Sequence, residues 1–154
     1  MRACVQRVSR ACVALQDEND RIVGKIEKGF LVLLGVGIED DEDDARYLAK
    51  KIAQLRVFDD GEGKMNLDML KVGGRALVVS QFTLFADCVK GNRPSFVGAA
   101  SPDRAKRLYR FFINELNSRD VLTEEGVFQA NMSVSLVNDC PVTIWLDSKE
   151  RKNA

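Results

Sequence analysis

The run Gly29-Phe30-Leu31-Val32-Leu33-Leu34-Gly35-Val36-Gly37 constrains the fold more than any other stretch of this chain. It carries no polar side chain, so it has no face to offer to water. It is short for a helix and is bounded by glycines, which makes a buried strand at the centre of a sheet the best fit. Arg75 to Phe85 reads as a second, mostly apolar strand, interrupted by the polar pair Ser80-Gln81. Met1 to Leu15 alternates loosely in a β-rich context. Gln16-Asp17-Glu18-Asn19-Asp20 and then Arg21 to Ile26 follow it, the pattern of a hairpin with a polar turn. Towards the end of the chain, strands are expected at Val127 to Val137 and Pro141 to Leu146, joined by a turn at Cys140-Pro141.

Two segments change period. Ala45, Leu48, Ala49, Ile52 and Leu55 fall on one helical stripe that begins among acids and has Lys50-Lys51 nearer its end, as the helix dipole favours. Ser101-Pro102 reads as an N-cap followed by proline at the first helical position, and Ala105, Leu108, Phe112 and Leu116 continue the stripe. Strands that come in runs, with two helices between them, indicate an α+β domain. At 154 residues, 45% hydrophobic and 30% charged, the chain suits one compact domain over residues 1–148 and a short charged, frayed tail over 149–154.

Histidine is absent. This removes Ser-His-Asp and Cys-His activation of a nucleophile, together with the commonest transition-metal ligand. The four cysteines, Cys4, Cys12, Cys88 and Cys140, form no CxxC pair and read as free buried thiols, so neither a metal nor a cofactor is expected. Lys plus Arg and Asp plus Glu balance at 23 each, which excludes a broad basic face and leaves any nucleic-acid contact local. No stretch is long and apolar enough to span a membrane, and the first residues do not resemble a signal peptide, so a cytoplasmic location is expected.

Three segments carry polar groups that call for a role. Ser80-Gln81-Phe82-Thr83 sits at the end of a strand that is otherwise buried. Its hydroxyls either satisfy neighbouring backbone, or the strand end splays to offer N–H groups as an oxyanion hole. Lys90-Gly91-Asn92-Arg93-Pro94-Ser95-Phe96 is either a solvated loop or a place where a phosphate or a stacked base is held. Cys140-Pro141 is either a plain turn or, less economically, the position of a nucleophile that has no base to activate it.

Taken together, Ser80-Gln81-Phe82-Thr83-Leu84, the loop Lys90 to Phe96, and Val134-Ser135-Leu136-Val137-Asn138-Asp139 followed by Pro141-Val142-Thr143 resemble the D-aminoacyl-tRNA deacylase family of bacteria and eukaryotes. The likeness runs over nearly the whole chain, from Met1-Arg2-Ala3-Cys4-Val5-Gln6-Arg7-Val8 onwards. It implies a barrel-like mixed sheet covered by the two helices, and a homodimer with its active sites at the subunit interface. It also implies hydrolysis of the ester between a D-amino acid and the 3′ end of tRNA by main-chain N–H groups near Ser80, Gln81 and Phe82. Thr83 then serves as a positioning group, and the 2′-hydroxyl of the tRNA assists water.

In that family the second motif reads Gly-Pro with a cis bond and enters the partner's pocket, where its carbonyls exclude L-amino acids. Here Cys140 precedes Pro141, and a negative φ that cysteine accepts is expected at position 140. Arg7 matches the residue that fixes this loop. Gly126 to Met132 resembles the stretch that receives the terminal adenosine, with Phe128, Ala130 and Met132 on it, Gln129 where glycine is usual, and Lys90 and Arg93 nearby for the tRNA end. Two alternatives stand beside this reading. One is a related deacylase of relaxed chirality, whose first motif begins with proline where this chain has Ser80. The other is a binding module that lost the reaction through Cys140.

Overall fold

The computed structural model describes residues 1–16 and 19–153, with side chains through residue 151. Asp17 and Glu18 of the expected polar turn lie outside the described residues. In chain order the elements are β1 (Arg2–Leu15), β2 (Ile22–Ile26), β3 (Gly29–Gly35), α1 (Glu42–Ala53), β4 (Phe58–Asp59) and β5 (Met65–Leu67). They continue with β6 (Arg75–Ser80), a 3-10 turn (Phe82–Phe85), α2 (Pro102–Asn117), β7 (Thr123–Glu125), β8 (Met132–Asp147) and a final 3-10 turn (Ser148–Asn153). No helix among the described residues is long and apolar enough to cross a membrane.

The apolar run becomes β3 because both of its faces are covered. Phe30, Val32 and Leu34 join the larger core beneath the helices, where Leu48, Ile52, Leu108, Phe112 and Leu116 are also buried. Leu31 is buried on the opposite side with Leu77, Val79, Val8, Ala11, Val13 and Ile26, and Leu33, Met132, Val134 and Leu136 pack against that second cluster. A period-2 strand with apolar residues at every position needs such a two-sided environment. β3 runs antiparallel to the first half of β1 and parallel to β6, and β6 runs parallel to β7. β2 pairs with the second half of β1, and β8 pairs with β1 along both halves.

The sheet therefore curls until β2 approaches the far strands. A Cβ on Gly24 would sit 2.9 Å from the Glu125 carbonyl oxygen and 3.0 Å from Leu77 Cδ1, so this near-closure of the barrel depends on glycine. The result is a single α+β domain with a nearly closed, barrel-like mixed sheet and two covering helices.

α1 starts at Asp41, whose carboxylate accepts from the Asp44 amide at 3.0 Å while Asp44 accepts in return from the Asp41 amide at 3.1 Å. Leu55 lies beyond the end of this helix but still packs on the core. α2 begins at Pro102 as the sequence indicates, although the Ser101 hydroxyl makes no cap bond.

The expected strand through Phe85 stops at Ser80. The Gln81 amide makes a last bond to the Leu34 carbonyl, 2.8 Å, and the chain then coils into the 3-10 turn. Similarly, no strand runs from Val127. β7 ends at Glu125, and residues 127–130 form a turn closed by the Ala130 amide on the Val127 carbonyl at 3.2 Å. The thiols are free but not buried: Cys4 and Cys12 are partly covered, and Cys88 and Cys140 are exposed, because their strand and loop positions face outwards.

Cys140-Pro141 is not a hairpin turn. β8 continues through it, since the segments on both sides pair with the same strand, β1. Gln6 faces Thr143 and Val8 faces Asn138, so Asp139, Cys140, Pro141 and Val142 stand opposite Arg7 alone as a large bulge. Such a bulge accommodates proline, which has no N–H for the ladder. Asn138 ties its base, accepting from the Val142 amide at 2.9 Å and donating to Thr143 Oγ1 at 2.8 Å. No peptide bond among the described residues is cis, so the Cys140-Pro141 bond is trans. The φ of Cys140 is +96°, against the negative value expected. The reversal inside the bulge demands a left-handed residue, which glycine adopts without the Cβ clash that cysteine meets. Gln129, at the second expected glycine position, likewise has φ +64°.

The charged tail is anchored rather than frayed through Arg151. Lys149 Nζ donates to the Asp44 carboxylate at 3.0 Å, Arg151 approaches it at 3.3 Å, and the Ser148 amide bonds the Met1 carbonyl at 2.8 Å. Burial pushes the Asp44 carboxyl upwards, but hydrogen bonds from Lys149, the Asp41 backbone and Ser148, with the nearby positive charge of the N-terminus, outweigh it and hold the group at about 2.

Two outcomes follow. Replacing Cys140 or Gln129 with glycine relieves left-handed strain, and each variant should gain about 0.5–1 kcal/mol in urea unfolding. A loss of stability in both would contradict this. Because the folded-state value of Asp44 is depressed, its contribution is complete above the ordinary carboxyl range and is lost as pH falls towards 2. Asp44→Asn should cost roughly 2 kcal/mol at pH 7, with the gap to wild type closing between about pH 4 and pH 2.

Candidate functional site

Strands β3, β6 and β7 are mutually parallel and end on the same side of the sheet, and the segments leaving their carboxyl ends surround a cavity of about 670 Å³. Val36 follows β3. Ser80 ends β6 and Gln81 and Phe82 follow it, and Phe128 to Met132 follow β7. Pro102 and Ala105, from the first turn of α2, and Phe96, from the preceding loop, complete the wall. A cavity at the carboxyl ends of parallel strands is where α/β sheets commonly hold ligands, because the loops diverge there. None of the described lining residues is charged, in a chain that is 30% charged.

The aromatic walls are held in place. Phe82 and Phe96 meet edge to face with ring centroids 5.0 Å apart. Phe128 packs on Tyr109 at 5.9 Å, and the Tyr109 hydroxyl donates to the Val78 carbonyl at 2.8 Å. Burial pushes the Tyr109 hydroxyl well above its ordinary pKa, so it stays a neutral structural donor. The first motif is arranged for polar work. The Gln81 amide is engaged by Leu34, which removes it from the expected set of free donors. Phe82 and Thr83 instead open the 3-10 turn, where the first N–H groups have no intrahelical acceptor. The Gln81 carboxamide donates to Thr83 Oγ1, and no carboxylate among the described residues bonds that hydroxyl.

Of the residues singled out from sequence, Ser80, Gln81, Phe82, Phe128, Ala130 and Met132 line the cavity. Thr83 lies immediately behind Phe82 in the turn. Arg7, Cys140, Pro141, Lys90 and Arg93 do not line the cavity of their own chain. Arg7, only 2% exposed, reaches the bulge: its Nε is 3.1 Å from the Asp139 carboxylate and 3.4 Å from the Asp139 carbonyl, while Nη1 bonds the Val57 carbonyl at 2.5 Å. Lys90 and Arg93 sit on an exposed loop pinned by paired bonds between Asp87 and Ser95, 2.7 and 2.9 Å. Sequence reasoning missed Gln16, Pro102 and Ala105, whose only signal was a polar turn and a helix start. No cluster of three or more potential metal ligands occurs among the described residues.

The family model described as D-Tyr-tRNA(Tyr) deacylase matches residues 4–147. A D-aminoacyl-tRNA deacylase of Koribacter versatilis is 57% identical over 150 residues, covering 97% of this chain and 99% of the relative. One of Thermus aquaticus is 56% identical, covering 98% and 97%. Among solved structures, one described as c-Myc DNA Unwinding Element Binding Protein superposes with a TM-score of 0.88 at 38% identity, covering 96% of this chain and 98% of that one. A probable eukaryotic D-amino acid tRNA deacylase shares the fold, with a TM-score of 0.79 at 15% identity over 94% and 97% of the two chains. Motifs, fold and full-length relatives agree, and the chain belongs to the D-Tyr-tRNA(Tyr) deacylase family.

Proposed function

We propose that this chain hydrolyses the ester linking a D-amino acid to the 3′ end of tRNA, releasing the free D-amino acid and the tRNA. The observation that carries this reading is the cavity whose described lining bears no charge and sets the first motif against a wall of aromatic and amide groups. An adenosine ring and an ester carbonyl suit such a lining, and the phosphates of the tRNA end remain outside. Lys90 and Arg93, on their exposed loop, are suited to meet those phosphates. The enzyme works on charged tRNA in the cytoplasm.

In the reaction, water adds to the ester carbonyl and the carbonyl oxygen takes up negative charge. The amides of Phe82 and Thr83 stabilise that oxyanion, with Ser80 and Gln81 shaping the strand end behind them. The bond to the ribose oxygen then breaks, and the ribose hydroxyl leaves with a proton while the neighbouring 2′-hydroxyl orients the attacking water. An aminoacyl ester is already activated, so placement and oxyanion stabilisation are sufficient without a side-chain base. Thr83, whose hydroxyl is bonded by Gln81, is a positioning residue in this scheme.

The working unit is a homodimer. Cys140 and Pro141 are exposed on a bulge and absent from the cavity of their own chain. In a second copy they would stand against the bound aminoacyl group and exclude the L-enantiomer by occupying the space its side chain needs. Arg7 holds the bulge through Asp139. The φ of +96° and the trans Cys140-Pro141 bond depart from the negative φ and cis bond expected where the filter is retained, so the comparison of enantiomers below decides whether it is kept.

Matched D- and L-tyrosyl-tRNA test the proposal directly. The D-ester should be cleaved at least roughly 10²-fold faster, and Cys140→Gly should keep that preference. Equal cleavage of both by wild type would overturn the chiral reading, and no cleavage of either would overturn the activity. Thr83→Ala should retain most of the turnover, whereas loss of a nucleophile would remove roughly 10³-fold or more. A folded but inactive Thr83→Ala protein would refute the mechanism.

A further inference from the structure

The 3-10 turn Phe82–Phe85 carries the amides of Phe82 and Thr83, yet none of its four residues is buried. So short a turn does not hold its own geometry, because its end groups have few partners within it. The Leu84 amide bonds the Gln81 carbonyl at 3.3 Å and the Ala86 amide bonds the Thr83 carbonyl at 3.0 Å, which leaves the Leu84 carbonyl to be met from outside. Arg2, the first residue of β1, meets it. Its Nη1 donates to that carbonyl at 2.9 Å, and its guanidinium lies over the Phe85 ring, 4.5 Å from the centroid. The Asp147 carboxylate of β8 accepts from Arg2 Nε at 3.0 Å and fixes the fork.

A glycine makes this reach possible. Arg2 stands opposite Gly35 on β3 and Asp147 on β8, and side chains of opposed residues project from the same face. Gly35 presents none, so the turn packs there. A Cβ on Gly35 would sit 2.9 Å from the Gln81 carbonyl oxygen, 3.1 Å from Leu84 Cβ and 3.2 Å from Phe85 Cδ2, and one on Gly37 would sit 2.6 Å from Phe85 Cε1. The turn is thus seated against the chain leaving β3, with Arg2 holding its last two residues.

We propose that Arg2 is a positioning residue for the hydrolysis, setting through this turn where the Phe82 and Thr83 amides point; this rests on the oxyanion role given to those amides above. Arg2 is not among the described residues lining the cavity, so it acts through Leu84 and Phe85. Donors aimed at an oxyanion act in the transition state, and their displacement lowers kcat while leaving KM in place. Methionine at position 2 keeps much of the stem and loses every donor. Lysine keeps the charge but not the fork that holds a carbonyl and a carboxylate together.

The test is steady-state cleavage of D-tyrosyl-tRNA by the full-length wild type, Arg2→Met and Arg2→Lys, with amide hydrogen exchange at Leu84 and Ala86 measured without substrate. Arg2→Met should lose roughly 10- to 10²-fold in kcat with KM within about twofold of wild type, and Arg2→Lys should fall between the two. Exchange at Leu84 and Ala86, whose bonds close the turn, should quicken by roughly tenfold in Arg2→Met. If Arg2→Met does not fold, Arg2→Lys carries the same comparison with a smaller loss. Where wild type cleaves the ester, an unchanged kcat in the variants, or a rise in KM alone, overturns the inference and leaves the deacylase reading standing. Unchanged exchange at both amides also overturns it. If wild type cleaves no D-tyrosyl-tRNA, the deacylase reading falls, and the exchange rates alone decide whether Arg2 holds the turn.

Discussion

Burial of β3 on both faces is the constraint from which the rest of the molecule follows. Phe30, Val32 and Leu34 need a cover on one side and Leu31 on the other, and no single layer supplies both. The helices α1 and α2 provide the first cover. The second comes from the sheet itself, whose outer strands β2 and β8 bend over Leu31, Leu77 and Val79. Curling of this kind depends on close approach, which Gly24 permits at the point where β2 meets β7. With β3, β6 and β7 parallel at the centre, their carboxyl ends open together, and the cavity forms where their exit segments separate.

The site is built almost entirely from main chain, amides and aromatic rings. This accords with a chain that has no histidine and a cavity whose described lining has no charge. Acid-base catalysis by side chains requires groups that titrate near neutrality, and none is found among the described residues lining this cavity. An activated ester requires less: a held water and donors aimed at the developing oxyanion. Backbone amides are well suited, because a strand end and a tight turn fix them more rigidly than any long side chain could be fixed. Charge is instead placed away from the described lining of the cavity. Arg7 is buried against the bulge, and Lys149 and Arg151 clasp Asp44 where the chain ends.

Two left-handed residues mark where this chain departs from the glycine expected of its family. Cys140 and Gln129 both keep a backbone that glycine would adopt freely, so in each case the surrounding structure imposes the conformation against local preference. At Cys140 the imposition comes from β8 pairing with β1 on both sides of the bulge, with Asn138 and Arg7 holding its base. At Gln129 it comes from a turn that must reverse within the few residues between Gly126 and Met132. Strain held by its surroundings in this way is found where geometry serves binding.

The sequence by itself determined the elements that depend on local pattern. The apolar run fitted a buried strand best, the stripes from Ala45 and Ala105 read as helices, and Ser101-Pro102 marked a helix start. The motifs around Ser80, Lys90 and Pro141 were also legible, because they are contiguous residue types, and they carried the family. Only the tertiary structure decided what depends on partners distant in the chain. The strand from Arg75 stops at Ser80 because Leu34 takes the Gln81 amide, an event invisible from the apolar pattern of Leu84 and Phe85. Cys140-Pro141 became a bulge because both flanking segments found the same neighbour, whereas local turn chemistry indicated a hairpin. The sign of φ at Cys140 and Gln129, the loss of the Gln81 amide as a free donor, and the entry of Gln16, Pro102 and Ala105 into the cavity share one cause. Each is fixed by long-range pairing and packing, which local sequence preference does not encode.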